Sequence, residues 1–351
     1  MTQEALADAV GLNRTAVTRL ERGERKLNVT ELVAVAAALG QPLSYFVADP
    51  VPAVVSRRRD TAHAHSTTRL LDLRLEQFAL DVREMLAMEL LRPVDRPVKA
   101  RVPRTHEEAE GTATTVRRRL DIGSDPIEDL GQVCESLGLL VFSTPLGETG
   151  PDGGCVELGG DTLALGASVV NSDSPAGRRR MTLTHELGHW LFGDAYDLEA
   201  SAKSEQMINS FAIHLLAPRA GVLRVWEEHS QWSPRDRALA IGAAFRLSWS
   251  ATLGQIRNLQ LIGYDEYRTL SEYEPRSGDY LRLGLAWSDE LSSDYLSPGF
   301  VSAVLGGYVS RRLTSDRALE LLRGTLPSHE LPQLTALGMD DLRGSFTGHD
   351  E

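Results

Sequence analysis

Residues 182–193 read Thr182-Leu183-Thr184-His185-Glu186-Leu187-Gly188-His189-Trp190-Leu191-Phe192-Gly193. On a helix, side chains four residues apart stand one above the other, so His185 and His189 point the same way. Two imidazoles so placed can both reach one zinc ion at about 2.0–2.1 Å. Glu186 lies about 100° further round the helix, close enough to touch water at that ion without taking a ligand position. One turn therefore offers two metal ligands and a general base, which is the chemistry of hydrolysis rather than of a purely structural zinc site.

Two protein ligands leave a catalytic zinc short by one. A longer motif with a third histidine from the same segment would require Gly at 192 and His at 195, where this chain has Phe192 and Ala195, so that arrangement is excluded. The candidates are carboxylates: Asp194, Asp197, Glu199 and Glu205. Glu205 leads, because it opens a second helical pattern in which Ile208, Phe211, Leu215 and Leu216 face a core while its carboxylate reaches inward. The other three stay open.

The chain has 351 residues, 42% hydrophobic and 25% charged, which suits a globular protein of two or three domains. No run approaches the roughly 18 apolar residues of a membrane span, so no membrane partner is expected. The start, Met1-Thr2-Gln3-Glu4, lacks the basic-then-apolar pattern of a signal peptide. The two cysteines, Cys134 and Cys155, form no disulfide framework, and the cytoplasm is the expected compartment. A net charge of −12 argues against a chain built mainly to coat nucleic acid. Arginine triplets at 57–59, 117–119 and 178–180 read as solvated faces or linker charges.

Upstream of the motif, residues 106–138 read as helices. The first ends near Leu120; the second runs from the turn at Ser124-Asp125-Pro126 to Gly138. Residues 139–142 read as a strand, 147–154 as a loop and 162–171 as another strand. Cys155 reads as a small buried side chain, with a resting-state zinc ligand as the alternative. The fold class is therefore mainly α with a small β-sheet (α+β).

Arg180-x-Thr182-Leu183-x-His185-Glu186-Leu187-Gly188-His189, followed by Glu205-x-x-x-Asn209-x-Phe211-Ala212-x-x-Leu215-Leu216-x-Pro218, resembles the ImmA/IrrE family of metallo-endopeptidases. The likeness spans roughly residues 110–262. It implies a zincin fold, zinc held by His185, His189 and Glu205, and Glu186 as catalytic base. It also implies cleavage of a helix-turn-helix repressor, which releases stress-response or mobile-element genes. His214 stands where the family commonly has an acidic or small residue and is expected to serve packing. Tyr196 and His214 are candidates for stabilising an oxyanion.

At the N-terminus, Ala5, Leu6, Ala9 and Val10 fall at helical spacing before Gly11. Asn13 suits the N-cap of a second helix, residues 14–22, ended by Gly23, with Ala16, Val17 and Leu20 inward. A third helix covers residues 29–39. Thr2-Gln3-Glu4-x-Leu6-Ala7, Gly11-Leu12-Asn13-Arg14 and Leu20-Glu21-Arg22-Gly23 resemble the XRE helix-turn-helix family. That resemblance implies that Arg14, Thr15, Thr18 and Arg19 face DNA bases, with Gln3 at the phosphate backbone. The family's first helix would lie before Thr2, so the module reads as lacking it. Residues 1–50 hold five basic and six acidic side chains, so binding is expected to rest on dimerisation and a few base contacts.

The expected domains are the helix-turn-helix (1–48), a linker and bridging helix (49–105), the peptidase core (106–220), a helix-turn-helix-like support (221–275) and a helical C-terminal region (276–351). In the linker, His63 and His65 read as solvated. The bridging helix carries Leu71, Leu75, Phe78, Val82 and Met85 as a short heptad seam, suited to packing within the protomer or to a homodimer. Two further helices are expected near 298–313 and 315–322, then a frayed acidic tail. Two functions compete: a zinc endopeptidase joined to a DNA-binding module, and a non-proteolytic regulator that uses the zincin domain as sensor or scaffold. The intact Glu186 favours the first.

Overall fold

The computed structural model describes residues 1–39, 46, 68–95, 101–159, 163–193, 202–286 and 289–334. Linker residues Arg57, Arg58, Arg59, His63 and His65 lie outside them, as do Asp194, Ala195, Tyr196, Asp197, Glu199 and the tail from 335. The chain divides into two units, Met1–Ala53 and Val54–Glu351.

In the first unit, α1 (Gln3–Val10) begins at Thr2, whose hydroxyl accepts from the Ala5 amide, and stops at Gly11 in the left-handed conformation (φ 68°). Asn13 caps α2 (Arg14–Glu21) through a 2.8 Å bond from the Ala16 amide. Asn28 and Glu31 cap α3 (Val29–Leu39) reciprocally, each carboxamide or carboxylate accepting from the other's backbone N–H. Ala7, Val17, Val35 and Ala36 form the small core. The inward face of α1 differs from its sequence reading. Ala7 is buried whereas Ala5 and Ala9 are exposed, because α1 leans on α2 and α3 along the Ala7 side.

The second unit runs α4 (Thr68–Ala87), β1 (Val94–Asp95), α5 (His106–Arg119), α6 (Leu130–Ser136), β2 (Leu139–Thr144), β3 (Gly153–Gly159), β4 (Leu163–Asn171), α7 (Ala176–Phe192) and α8 (Ala202–Leu216). It continues with α9 (Arg219–Glu228), α10 (Pro234–Phe245), α11 (Trp249–Asn258), α12 (Tyr264–Ser271), α13 (Ser277–Arg282), α14 (Pro298–Val309) and α15 (Ser315–Leu322). β4 is central in the sheet: β2 pairs with it in parallel, β3 antiparallel, and the two residues of β1 join its start. No described helix is long and apolar enough to cross a membrane.

β2 is buried at all six positions because both faces of the sheet are covered. Phe142 meets Phe78 of α4 at 5.7 Å between ring centroids, and Phe78 meets Phe300 of α14 at 5.4 Å. The heptad seam of α4 is consumed there: Leu71, Leu75, Phe78, Val82 and Met85 are all buried within the protomer. On the opposite face, Leu139, Val141, Cys155 and Val170 join Leu183 and Leu187 of α7 in the main core. The C-terminal region closes the edge of β2, where Ser143 and Ser297 amides donate to the Tyr295 and Val141 carbonyls.

Three local expectations need correction. β3 is a strand beginning at Gly153, inside what reads as a loop, since glycines at 153, 154 and 159 hide its pattern. α6 begins at Leu130, capped by Asp129, rather than at the 124–126 turn. Two arginine triplets are solvated faces only in part: Arg118 and Arg119 are exposed, but Arg117 and Arg180 are among the most buried large side chains. Arg117 donates to the carbonyls of Gly123, Leu215 and Asp125, which satisfies its buried guanidinium without a carboxylate contact.

Candidate metal centre

α7 lies against β3 and β4 because small residues allow it. A Cβ on Gly153 would sit 2.9 Å from the Thr182 methyl, and one on Gly166 would sit 3.0 Å from the Trp190 ring. All of residues 182–192 are buried, so the two histidines and Glu186 belong to an interior helix rather than a surface one. α8 crosses α7 just as closely. A Cβ on Gly188 would come within 2.8 Å of Ile208 Cγ2, and the Phe192 and Phe211 rings meet edge to face at 5.2 Å.

That crossing brings Glu205 to the histidines. His185 Nε2 and His189 Nε2 are 3.0 Å apart, and Glu205 places Oε2 at 3.2 Å from the first and Oε1 at 3.6 Å from the second. Tetrahedral ligands at zinc bond lengths are separated by about 3.3 Å. The observed separations bracket that value, so the donor set fits a zinc ion in size and in chemistry. His185, His189 and Glu205 are the only such group of three among the described residues.

Two further side chains complete the centre. His185 Nδ1 lies 3.0 Å from Asn209 Oδ1, one turn beyond Glu205 on α8; the carbonyl oxygen accepts the Nδ1 proton and leaves Nε2 for a metal. Glu186 is wholly buried, and neither of its carboxylate oxygens has a hydrogen-bond partner among the described residues. An uncompensated buried carboxylate is costly, so the site is arranged for something absent from the protein alone. A metal and water beside Glu186 meet that need.

The 178–180 arginines hold the start of α7. Arg178 pairs with Asp152, and Arg179 with Asp289 and the carbonyls of Ser172, Ser174 and Glu290. Arg180 and Arg246 grip opposite oxygens of Glu290, at 2.5 and 2.8 Å. Burial pushes the Glu290 carboxyl up, against the pull of both guanidiniums, and burial lowers Arg180.

Cys155 is buried in β3 with Sγ 3.6 Å from the Glu186 carbonyl oxygen, outside the ligand group. Burial pushes the Cys134 thiol well above its ordinary range. His214 is nine residues from Glu205, about 180° round α8, and accepts a bond from Gln255 on the far side. It is therefore not an oxyanion donor at this centre. In the first unit, Arg14, Thr15 and Arg19 are exposed on α2, whereas Gln3 is engaged internally, accepting from the Thr18 hydroxyl and donating to Glu21. Sequence reasoning assigns no role to Asn209, Asp289 or Glu290. The signal for Asn209 is its place one turn after Glu205.

A buried helix carrying two histidines and a glutamate, crossed by a second helix carrying a carboxylate, defines a metallopeptidase-like domain. Residues 134–253 match the IrrE N-terminal-like domain, a peptidase family, and residues 1–46 match a helix-turn-helix family. The chain thus joins an XRE-type helix-turn-helix domain to an ImmA/IrrE-type peptidase domain. No curated protein and no solved structure gives a match.

Proposed function

We propose that this protein is a zinc-dependent endopeptidase of narrow specificity, cytoplasmic, that cuts a helix-turn-helix repressor or partner regulator. Its own helix-turn-helix domain brings it to DNA, and cleavage derepresses stress-response or mobile-element genes. The observation that carries this reading is Glu186, a wholly buried carboxylate with both oxygens open beside three convergent metal ligands.

In this mechanism His185, His189 and Glu205 hold the ion, and Asn209 fixes the His185 ring so that Nε2 faces it. Zinc bound there supplies a Lewis acid that acidifies water and polarises a peptide carbonyl. Glu186 takes the proton from the attacking water and passes it to the leaving amine. Its burial excludes competing solvent from the transfer.

The test is incubation of metal-loaded protein with helix-turn-helix regulators encoded beside it, with Glu186→Gln in parallel. Cleavage by the native protein and none by the variant supports the proposal. Cleavage that persists in Glu186→Gln removes Glu186 as base, and no cleavage of any candidate turns the reading toward a non-proteolytic regulator. On the DNA side, gel-shift binding should be lost in Arg14→Ala with Arg19→Ala; binding that survives both would remove α2 as the reading helix.

A further inference from the structure

Behind the metal centre, on the opposite face of α8, a cleft of about 790 Å3 opens between α5, the end of α8, and the first turn of α9. A second hollow of about 540 Å3 continues it along α5 toward Gly123 and Leu223. Five residues line both: Glu110, Thr114, Arg118, His214 and Arg219. They form the waist of one elongated groove.

The chemistry at the waist is one-sided. Arg219 saturates Glu110 through two bonds, Nε at 2.7 Å and Nη2 at 2.9 Å, which neutralises the carboxylate. The Thr114 hydroxyl donates to the Glu110 carbonyl oxygen. What remains open at the waist is cationic or donating, while the exposed carboxylates Glu107 and Asp121 each line one hollow only, away from the shared residues. Arg118 is exposed and makes no ion pair among the described residues. Arg219 keeps its third nitrogen. His214 is only 5% exposed, and the tautomer of its neutral ring is set from behind. The Gln255 amide nitrogen donates to the Ala217 carbonyl at 2.7 Å, which orients that amide, and also to His214 Nδ1 at 3.3 Å. The ring proton of the neutral imidazole is therefore on Nε2, a donor. In the wider part of the cleft, His106 Nδ1 lies 2.8 Å from the Ser210 hydroxyl, a hydrogen bond that steadies the ring.

Two guanidiniums and a nearly buried imidazole N–H, converging where two hollows meet, form a cradle for an anionic group. We propose that this groove binds a small phosphate- or carboxylate-bearing ligand, with the anion at the waist between Arg118, Arg219 and His214. The site is separate from the metal centre. It lies on the reverse face of α8, the helix that positions Glu205 and Asn209, so its occupant touches the element that completes the ligand set.

The experiment is thermal melting of the full-length protein titrated with inorganic phosphate or with citrate at constant ionic strength and constant free zinc, for the metal-loaded native chain and Arg118→Ala and for Glu205→Ala. A saturable rise in melting temperature is expected in the native chain and in Glu205→Ala, weakened at least about tenfold in Arg118→Ala, because a charge-assisted contact is lost. A response to phosphate alone assigns a phosphate ester; a response to citrate alone assigns a carboxylate ligand. Equal saturation in Arg118→Ala would overturn the proposal. So would binding lost in Glu205→Ala but retained in Arg118→Ala, which would put the anion at the metal centre. No response to either ion would overturn it as well.

Discussion

Asn209 accepts from His185 across a 3.0 Å contact between α8 and α7, and it sits one helical turn beyond Glu205. The helix that would supply the third ligand thus also aims the first of the candidate ligands. Asn209→Ala should leave all three ligands in place yet weaken zinc binding about 10- to 100-fold, the usual cost of losing a histidine's outer partner. Competition against a chromogenic chelator measures this. Affinity unchanged from the native protein would show that packing alone orients the His185 ring.

Gly188 sits between His185 and His189, facing α8. A methyl group there would press to within 2.8 Å of Ile208 Cγ2 and 3.3 Å of the Phe211 ring, both wholly buried. Neither neighbour is the tip of a flexible side chain, so α8 must shift and carry Glu205 with it. Gly188→Ala should cost about 1–3 kcal/mol of stability, the range for overpacking a core. It should also lower metal occupancy, measured by elemental analysis of purified protein. Full occupancy at native stability would mean that α8 is not held by this crossing.

The i, i+4 histidines, the adjoining glutamate and the amphipathic helix led by Glu205 were readable because each follows helical periodicity within one segment. The reading stopped where tertiary contacts decide. Gly153, Gly154 and Gly159 conceal β3, whose strand character comes from seven residues paired along β4. Arg117 and Arg180 look like surface charge in a triplet, and only carbonyls and a carboxylate from distant segments make their burial tolerable. The heptad seam of α4 left packing partner and dimer partner equally open. Phe142 and Phe300, 64 and 222 residues beyond Phe78, decide it for this chain.

Glu290 joins the C-terminal region to the start of the metal helix, and its two guanidinium partners are unequal. Arg180 keeps 1% of its side-chain surface, Arg246 16%. Removing the carboxylate strands Arg180 in the interior, and breaking a buried pair from one side costs about 3–5 kcal/mol. Glu290→Ala should fall in that range by chemical denaturation. Arg246→Ala should cost much less, since Glu290 keeps its inner partner. Equal, small losses in both would show that water reaches Arg180 and that this cluster does not hold α7.

His214 makes stability depend on pH with a defined sign. Burial is the largest influence and lowers its pKa below the ordinary 6.5; Glu110 opposes this, while Arg219 and His106 reinforce it. The unfolded chain therefore binds a proton at a pH where the native protein resists one. When the unfolded state holds more protons, stability rises with pH. The contribution is complete above about pH 6.5 and is lost as pH falls from there through the depressed native value. Denaturation midpoints at about pH 7.5 and about pH 5.5 should differ less in His214→Gln than in the native chain, because glutamine cannot titrate. Titratable groups away from His214 contribute alike to both proteins and cancel in that comparison, whereas Glu110 and His106, which feel its charge, change with it. The same difference in both would mean that His214 is protonated as readily in the fold as in the unfolded chain. A bound anion beside Nε2 would favour the protonated ring, so in saturating phosphate the native chain should lose part of its excess pH dependence.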